Sequence, residues 1–443
     1  MNAALASKPR QVADPIEVEI SDLAHDGRGV VRGQGKVMFV ADALPGERVR
    51  VQWRRGNRLY DEAQLLEILQ PSPQRVPPRC AHFGVCGGCA SQHCAGEAQL
   101  HYKQTHLLDN LRRIGQVEPE AWLPPLAGPL WAYRRRARLG VKYVTKKGRV
   151  LVGFRERGTP YLAELQRCEV LHPAVGARLA GLAELLDGLS LREQIPQIEV
   201  AIADNAVALV LRVLAPLPVS DRERLLQYAR EQGLWFYLQS GGMDSIQPLA
   251  ADTPELYYDL SQHGVRIYFE PGDFVQINAA VNAALVDQAL SLLDTKPTDR
   301  VLELFSGLGN FSLPLARQIA QLTAVEGSAA LVQRAQRNAE RNGIGNVEFH
   351  AADLFAAEHG LWSRQAYDKL LLDPPRAGAQ EILPLLMAQP PARIVYISCH
   401  PATLARDAAF LVQHGGYRFR SAGVVDMFPH THHVESIALF EHV

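Results

Sequence analysis

Apolar and polar residues alternate along the first part of the chain. Ile16, Val18 and Ile20 are separated by Glu17 and Glu19. In Arg48-Val49-Arg50-Val51-Gln52-Trp53 the apolar residues share one face and the polar ones the other. Gly27-Arg28-Gly29, the Gly33–Gly35 turn before Val37-Met38-Phe39-Val40, and Ala43-Leu44-Pro45-Gly46 cut this stretch into short strands. Five strands between Ile16 and about Ile68 fit a small barrel of the oligonucleotide-binding type, or another small all-β module. Residues 1–15 are polar and expected to fray. Pro71, Pro73, Pro77 and Pro78 mark a linker. A polar helix is expected from Glu97 to Arg113, and a strand-rich region runs from Trp131 through Leu209–Val213 to about Ile267.

From Gln276 onward the period changes. Val281, Leu285, Ala289 and Leu292 form a helical stripe. Apolar strand cores follow at 300–305, 322–326, 347–350, 369–373, 393–398 and 434–440, with helical stretches between them. Such alternation predicts a doubly wound α/β sheet.

At 443 residues the chain is too long for one core, so two to four domains are expected. Hydrophobic residues make 47% and charged ones 21%, which excludes a largely disordered chain. No apolar run approaches the roughly 18–20 residues that span a bilayer. The start has no apolar stretch long enough for a signal peptide, so a cytoplasmic protein without a membrane partner is expected.

The charge balance, 46 Lys and Arg against 47 Asp and Glu, conceals an uneven distribution. Residues 101–157 hold 13 basic side chains and four acidic ones, so this segment carries +9 and the remainder -10. If Tyr133–Tyr143 is a strand, Arg134, Arg136, Arg138 and Lys142 project from one face, a row that suits phosphate contacts. A solvated face is the blander reading; the size of the imbalance favours nucleic acid.

Six cysteines are too few for a disulfide scaffold. Cys80, Cys86 and Cys89 stand in C-x5-C-x2-C spacing, with Gly87 and Gly88 letting the backbone bend so that neighbouring thiolates converge. Zinc or an iron–sulfur cluster needs a fourth ligand, for which Cys94 and Cys168 are the candidates.

Val301-Leu-Glu303-Leu-Phe305-Ser306-Gly307-Leu-Gly309-Asn310-Phe311 is an apolar strand running into a glycine turn. Glu326 ends the next strand, where an acid is positioned for ribose hydroxyls, and Asp353 follows the third. The same geometry serves S-adenosylmethionine, and the chain has no phosphate-cradling G-x-x-x-x-G-K-[ST] run. The fourth strand ends in Asp373-Pro374-Pro375-Arg376, and the fifth in Cys399-His400-Pro401. A cysteine at the crevice end of a central strand is a candidate nucleophile. His430, His432 and His433 lack a ligand pattern and are read as loop residues; Glu435 starts the last strand.

Gly309-Asn310-Phe311, Asp373-Pro-Pro-Arg376, Ser398-Cys399-His-Pro-Ala-Thr-Leu-Ala-Arg-Asp407 and His433-Val-Glu435-Ser together resemble the RNA uracil-C5 methyltransferases. Pro271-Gly-Asp-Phe274-Val-Gln276-Ile-Asn278 is also similar to that family. With the cysteine cluster and a barrel resembling a TRAM domain, the chain looks like the branch that methylates one uridine of bacterial 23S ribosomal RNA. The resemblance implies a multidomain chain. An RNA-binding OB-like TRAM β-barrel is expected over 12–70, and a central α+β domain with the iron–sulfur cluster and basic strand over 75–265. A C-terminal α/β class I, Rossmann-like methyltransferase domain is expected over 266–443.

The resemblance also implies a [4Fe-4S] cluster on Cys80, Cys86, Cys89 and Cys168, with Cys94 a bystander. It implies Cys399 as nucleophile, Glu435 as general base and Asp373 as orienting group. Cofactor contacts carried over by position are Gln276, Phe305, Asn310, Glu326, Asp353 and Asp373. Arg134, Arg136 and Arg138 would hold the RNA around a single-stranded or extruded uridine, and a monomer is expected. Two positions depart from the family pattern: Glu303 stands where Asp is usual, and Ser306 where Cys is common.

Rival readings are C5 methylation of tRNA or of another ribosomal uridine, or methylation of cytosine or an adenine amino group. From another class comes a non-catalytic RNA-binding protein with a zinc site. Asp373-Pro-Pro-Arg376 with Ser398-Cys399 fits neither the cytosine nor the amino-group pattern.

Overall fold

A computed structural model describes residues 14–33, 35–356 and 360–443. The polar start expected to fray lies outside them except for Asp14 and Pro15. The chain divides into two compact units. One runs to Tyr102 and includes His430–His432; the other holds Lys103–Pro429 and His433–Val443. The division falls within the helix Gly96–Asn110.

The first unit contains a six-stranded sheet in the order Ile16–Glu19, Arg48–Gly56, Tyr60–Gln70, Val37–Val40, Gly29–Val31, Asp22–Leu23. This is one strand more than the alternation indicated, because the two-residue Asp22–Leu23 has no period to mark it. The two outermost strands are consecutive in the chain. Between them Ile20 N–H donates to Glu47 O and Ser21 N–H to Val30 O, so the sheet closes on itself. Val49 and Val51 point into its core with Ile20, Val40, Ala43 and Ala63. Arg48 and Arg50 lie on the outer face, as their alternation requires.

The second unit holds three sheets. Six strands pair in the order Ile246–Pro248, Trp235–Gln239, Val207–Arg212, Gln197–Ile202, Arg136–Val144, Arg149–Gly153. A two-stranded ribbon joins Leu256–Leu260 to Val265–Phe269. The helix Ala279–Leu293 then leads into the large sheet. Its Asn278 side chain caps it by accepting the Val281 N–H, and Val281, Leu285 and Ala289 are buried.

That sheet consists of β1 (Arg300–Leu304), β2 (Gln321–Glu326), β3 (Val347–Ala351), β4 (Lys369–Leu372), β5 (Arg393–Ser398), β6 (Tyr417–Val425) and β7 (Glu435–His442). Their order is β3-β2-β1-β4-β5-β7-β6, with Ala121–Trp122 pairing onto β6 at the edge. β1 to β5 run parallel and β7 antiparallel. This is the doubly wound class I methyltransferase arrangement, and the order reverses between β1 and β4, where such sheets open a crevice. Leu302, Leu304, Leu370, Leu372, Ile394 and Tyr396 pack on one side in a continuous core. A fully buried side chain of this size contributes about 1.5–3 kcal/mol, so the strand ends stand on a rigid floor.

Candidate active site

The chain leaves β1 through a tight turn. Phe305, Gly307 and Gly309 are left-handed, with φ of 65°, 55° and 94°. For a phenylalanine this conformation costs energy that the surroundings must supply. The N–H groups of Phe305 and Ser306 both donate to Val325 O, at 2.8 and 3.1 Å. Glu326 accepts from Gly307 N–H through one carboxylate oxygen (3.1 Å) and from Ser328 N–H through the other (2.9 Å). The acid at the end of β2 therefore ties the glycine turn down. A Cβ added to Gly307 meets nothing within 4 Å, so that side of the turn is open.

Phe355, 42% exposed, has its ring 6.0 Å from that of Phe305, and its N–H donates to Asp353. Asn310 forms a reciprocal amide pair with Asn282, 2.9 Å each way, and also accepts from the Tyr258 hydroxyl. Gln276 is half-buried in a segment anchored by the Asp273–Arg334 ion pair. An open glycine turn, acids beyond β2 and β3, and two aromatic rings together fit an adenosyl group.

Asp373 follows β4 and Cys399 follows β5. Leu372 pairs with Leu304 on one side and Tyr396 on the other. Across β5 and β7, Ser398 pairs with Ser436. Cys399 and Glu435 are the next residues beyond that terminal pair, close enough for the Glu435 carboxyl to act on the Cys399 thiol.

Glu435 is 8% exposed and its Oε2 has no hydrogen-bond partner. Burial and the Asp373 carboxylate push its pKa up to about 8, against the opposing Lys103 ammonium. Burial pushes Asp373 up to about 7. Glu303, 1% exposed, rises to about 8 through burial, with Asp373 and Glu326 adding to it. The Cys399 thiol is raised by burial, then by Glu435 and Asp373, while Arg376 opposes them. A thiol beside carboxyl groups that titrate near neutrality can add to an electron-poor carbon and move protons at small cost.

The basic strand differs from its expected extent. It begins at Arg136, so Arg134 lies before it and donates to the Arg136 carbonyl. Arg136 is half-buried and donates to Pro271 O, and Arg138, exposed, pairs with Glu199. Arg136, Arg138 and Lys142 thus share one face of the strand while Arg134 stands outside it, and all three guanidinium groups have a partner within the fold.

Cys80, Cys86 and Cys89 lie half-buried in the first unit, with Gly88 N–H donating to Cys86 Sγ at 3.4 Å. Cys168 belongs to the second unit. Cys94, also in the first unit, is buried, and burial pushes its thiol up to about 11. Among the described residues no group of three or more His, Cys, Asp or Glu side chains is arranged to hold a metal ion. His433 is a loop residue, 3.0 Å from Arg376. Sequence reasoning missed Phe355, Asn282 and Tyr258, and the buried pair in which Lys103 donates to Asp426 at 2.6 Å. Only Phe355, two residues beyond Asp353, carried a usable signal.

Residues 257–443 match the tRNA (Uracil-5-)-methyltransferase family. The chain is 52% identical to the 23S rRNA (uracil(1939)-C(5))-methyltransferase RlmD of Alkalilimnicola ehrlichii, over 97% of each chain. It is also 52% identical to RlmD of Methylococcus capsulatus, again over 97% of each. Among solved structures, it is similar in fold to the Pyrococcus abyssi tRNA (uracil-54, C5)-methyltransferase in complex with S-adenosyl-L-homocysteine. There the TM-score is 0.74 and the identity 23%, covering 96% of this chain and all of that one. The chain therefore belongs to the RlmD family of 23S rRNA (uracil(1939)-C(5))-methyltransferases.

Proposed function

We propose that this protein transfers a methyl group from S-adenosylmethionine to carbon 5 of a uridine in 23S ribosomal RNA. The observation that carries the reading is the convergence of Cys399, just past the end of β5, and Glu435, at the start of β7, beside the terminal Ser398–Ser436 pair, with Asp373 acting on both. The names of the full-length relatives supply the RNA.

Carbon 5 of uracil is a weak nucleophile. Cys399 sulfur adds to carbon 6, which moves electron density to carbon 5. The thiol proton leaves as the carbon–sulfur bond forms and passes to the Asp373 carboxylate, which returns it when the sulfur is expelled, so that Glu435 stays open for the later step. Bound S-adenosylmethionine supplies an electrophilic methyl group. Glu435 then takes the proton from carbon 5, the double bond re-forms and Cys399 is expelled; Asp373 orients the groups. Gln276, Phe305, Asn310, Glu326 and Asp353 line the cofactor's place.

Cys80, Cys86, Cys89 and Cys168 are the ligands proposed for a [4Fe-4S] cluster, on the strength of their spacing and the family resemblance. Such a cluster would supply a structural or RNA-binding element, since the reaction has no redox step. The proposed TRAM barrel and Arg134, Arg136 and Arg138 would hold RNA around an extruded uridine. The enzyme is proposed to act as a monomer in the cytoplasm. Among the described residues no helix is long and apolar enough to cross a membrane.

Incubation with cofactor and 23S rRNA containing 5-fluorouridine tests the mechanism, because fluorine cannot leave as a proton does. A covalent complex should accumulate with the native chain and be lost in Cys399→Ala. Absence of the complex, or its persistence in the variant, overturns the reading.

A further inference from the structure

β4 ends at Leu372, and the chain that follows it has little to hold it. The Asp373 N–H reaches Leu304 O only at 3.4 Å, and Pro374 and Pro375 have no N–H to offer a neighbour. A carboxyl that must face the Cys399 sulfur therefore stands where the ladder has run out. Residues 374–379 form a strap, turned by the Gly378 N–H donating to Pro375 O at 2.9 Å.

Asp407 is where the strap is fastened. It is 1% exposed and lies on the helix Pro401–Gln413, which begins two residues after Cys399. Its Oδ2 accepts from the Ala379 N–H at 2.8 Å and from the Tyr396 hydroxyl at 2.6 Å. Tyr396 is fully buried on β5, three residues before Cys399. Asp407 Oδ1 accepts from Arg406 Nε at 2.8 Å, and Arg406 Nη2 donates on to Ala377 O at 2.8 Å. The approach is close. Gly378 has φ of 83°, and a Cβ there would stand 2.6 Å from Asp407 Oδ2 and 2.5 Å from Arg406 Nη2. One carboxylate thus ties together the chain before the thiol, the chain after it and the chain beyond Asp373. A buried charge is a costly fastener for the helix alone, which Leu404, Ala405, Ala408 and Leu411 already secure to the core.

We propose that Asp407, with Arg406, is a positioning residue: through the strap it fixes the Asp373 carboxyl against the Cys399 thiol and so sets the rate at which sulfur adds to carbon 6. The inference rests on the reading of Asp373 as the group that takes the thiol proton.

The rate at which the covalent complex forms with 5-fluorouridine 23S rRNA, at saturating RNA and cofactor, reads the addition. Asp407→Asn should slow it by about 10–100-fold while the dissociation constants for RNA and cofactor stay within about twofold of native. Added to Asp373→Asn, it should cost less than about threefold more, since the strap then has no carboxylate to place. A merely structural role would lower the melting temperature and leave the two effects to multiply. The proposal is overturned by a native rate in folded Asp407→Asn, by a loss confined to affinity, or by effects that multiply in full in the double variant. If Asp407→Asn shows no folded baseline in thermal melting, Gly378→Ala, which pushes the strap off Asp407 without removing a charge, takes its place in both measurements under the same criteria. Failure of the underlying reading looks different: Asp373→Asn alone would then form the complex at the native rate.

Discussion

Glu47 in the first unit and Glu435 in the second are both closed off from water, at 0% and 8% exposure, yet their chemistry is opposite. Burial alone would raise the Glu47 carboxyl. Arg75 at 2.5 Å and the N–H groups of Leu44 and Ser72 outweigh it and hold the group below its ordinary value. Glu435 has an oxygen with no donor and a second acid beside it, and it rises to about 8. A buried acid with every lone pair engaged acts as scaffold. One left short of donors binds a proton more tightly and exchanges it near neutrality, where a group can both take up and give up protons.

The contrast is most exposed to failure in catalysis. Glu435→Gln should lower turnover by about 10²–10⁴-fold and let the adduct with RNA accumulate, measured by methyl transfer and by gel shift. A native rate would remove the functional half of the comparison. Glu47→Gln should leave the chemistry of folded protein intact but cost about 3–5 kcal/mol in chemical denaturation, because it strands the Arg75 charge. An unchanged midpoint would remove the structural half.

The two substitutions should also differ in how they respond to pH. Folded, Glu435 keeps its proton to about pH 8, whereas its ordinary value is 4.5. Between those values the unfolded chain binds fewer protons, so this group makes stability fall as pH rises through the window. Glu435→Gln should therefore melt higher than the native chain at pH 8.5, by on the order of 1–3 kcal/mol, and alike at pH 4. The smallest effect is expected at Glu303, where the side chain is one methylene longer than the family's usual Asp. Glu303→Asp should change cofactor affinity by less than about tenfold, read by calorimetry.

The strands of the large sheet were legible because a strand covered on both faces is written as an unbroken apolar run: β1, β4 and β5 fall within one residue of their expected ends. β6 was not. Its alternation of Tyr417 and Phe419 is interrupted by a bulge between Phe419 and Ser421, after which nearly every residue is buried and the period of two disappears. Ala121–Trp122 is a strand only by virtue of the edge it joins. The positions of Asp373, Cys399 and Glu435 were legible because each stands directly after or at the start of an apolar strand. The burial of Lys103 was not legible, since its partner Asp426 is 323 residues away and a lysine in a polar helix carries no mark of burial. The arginine run was misplaced at its start, because Arg134 pairs in isolated bridges with Leu171 and Asn278 instead of joining the strand.

The β5–β7 ladder acts as a ruler for evolution as well as for chemistry. Within it, insertion or deletion of a single residue before Ile437 would turn the Glu435 carboxylate to the opposite side of the sheet. The approach from Asp426 to Val434 carries no helix or strand and has no such gearing. Length variation among descendants of this chain should collect in that approach and stop abruptly at Glu435, a boundary set by backbone pairing and not by the reacting groups themselves.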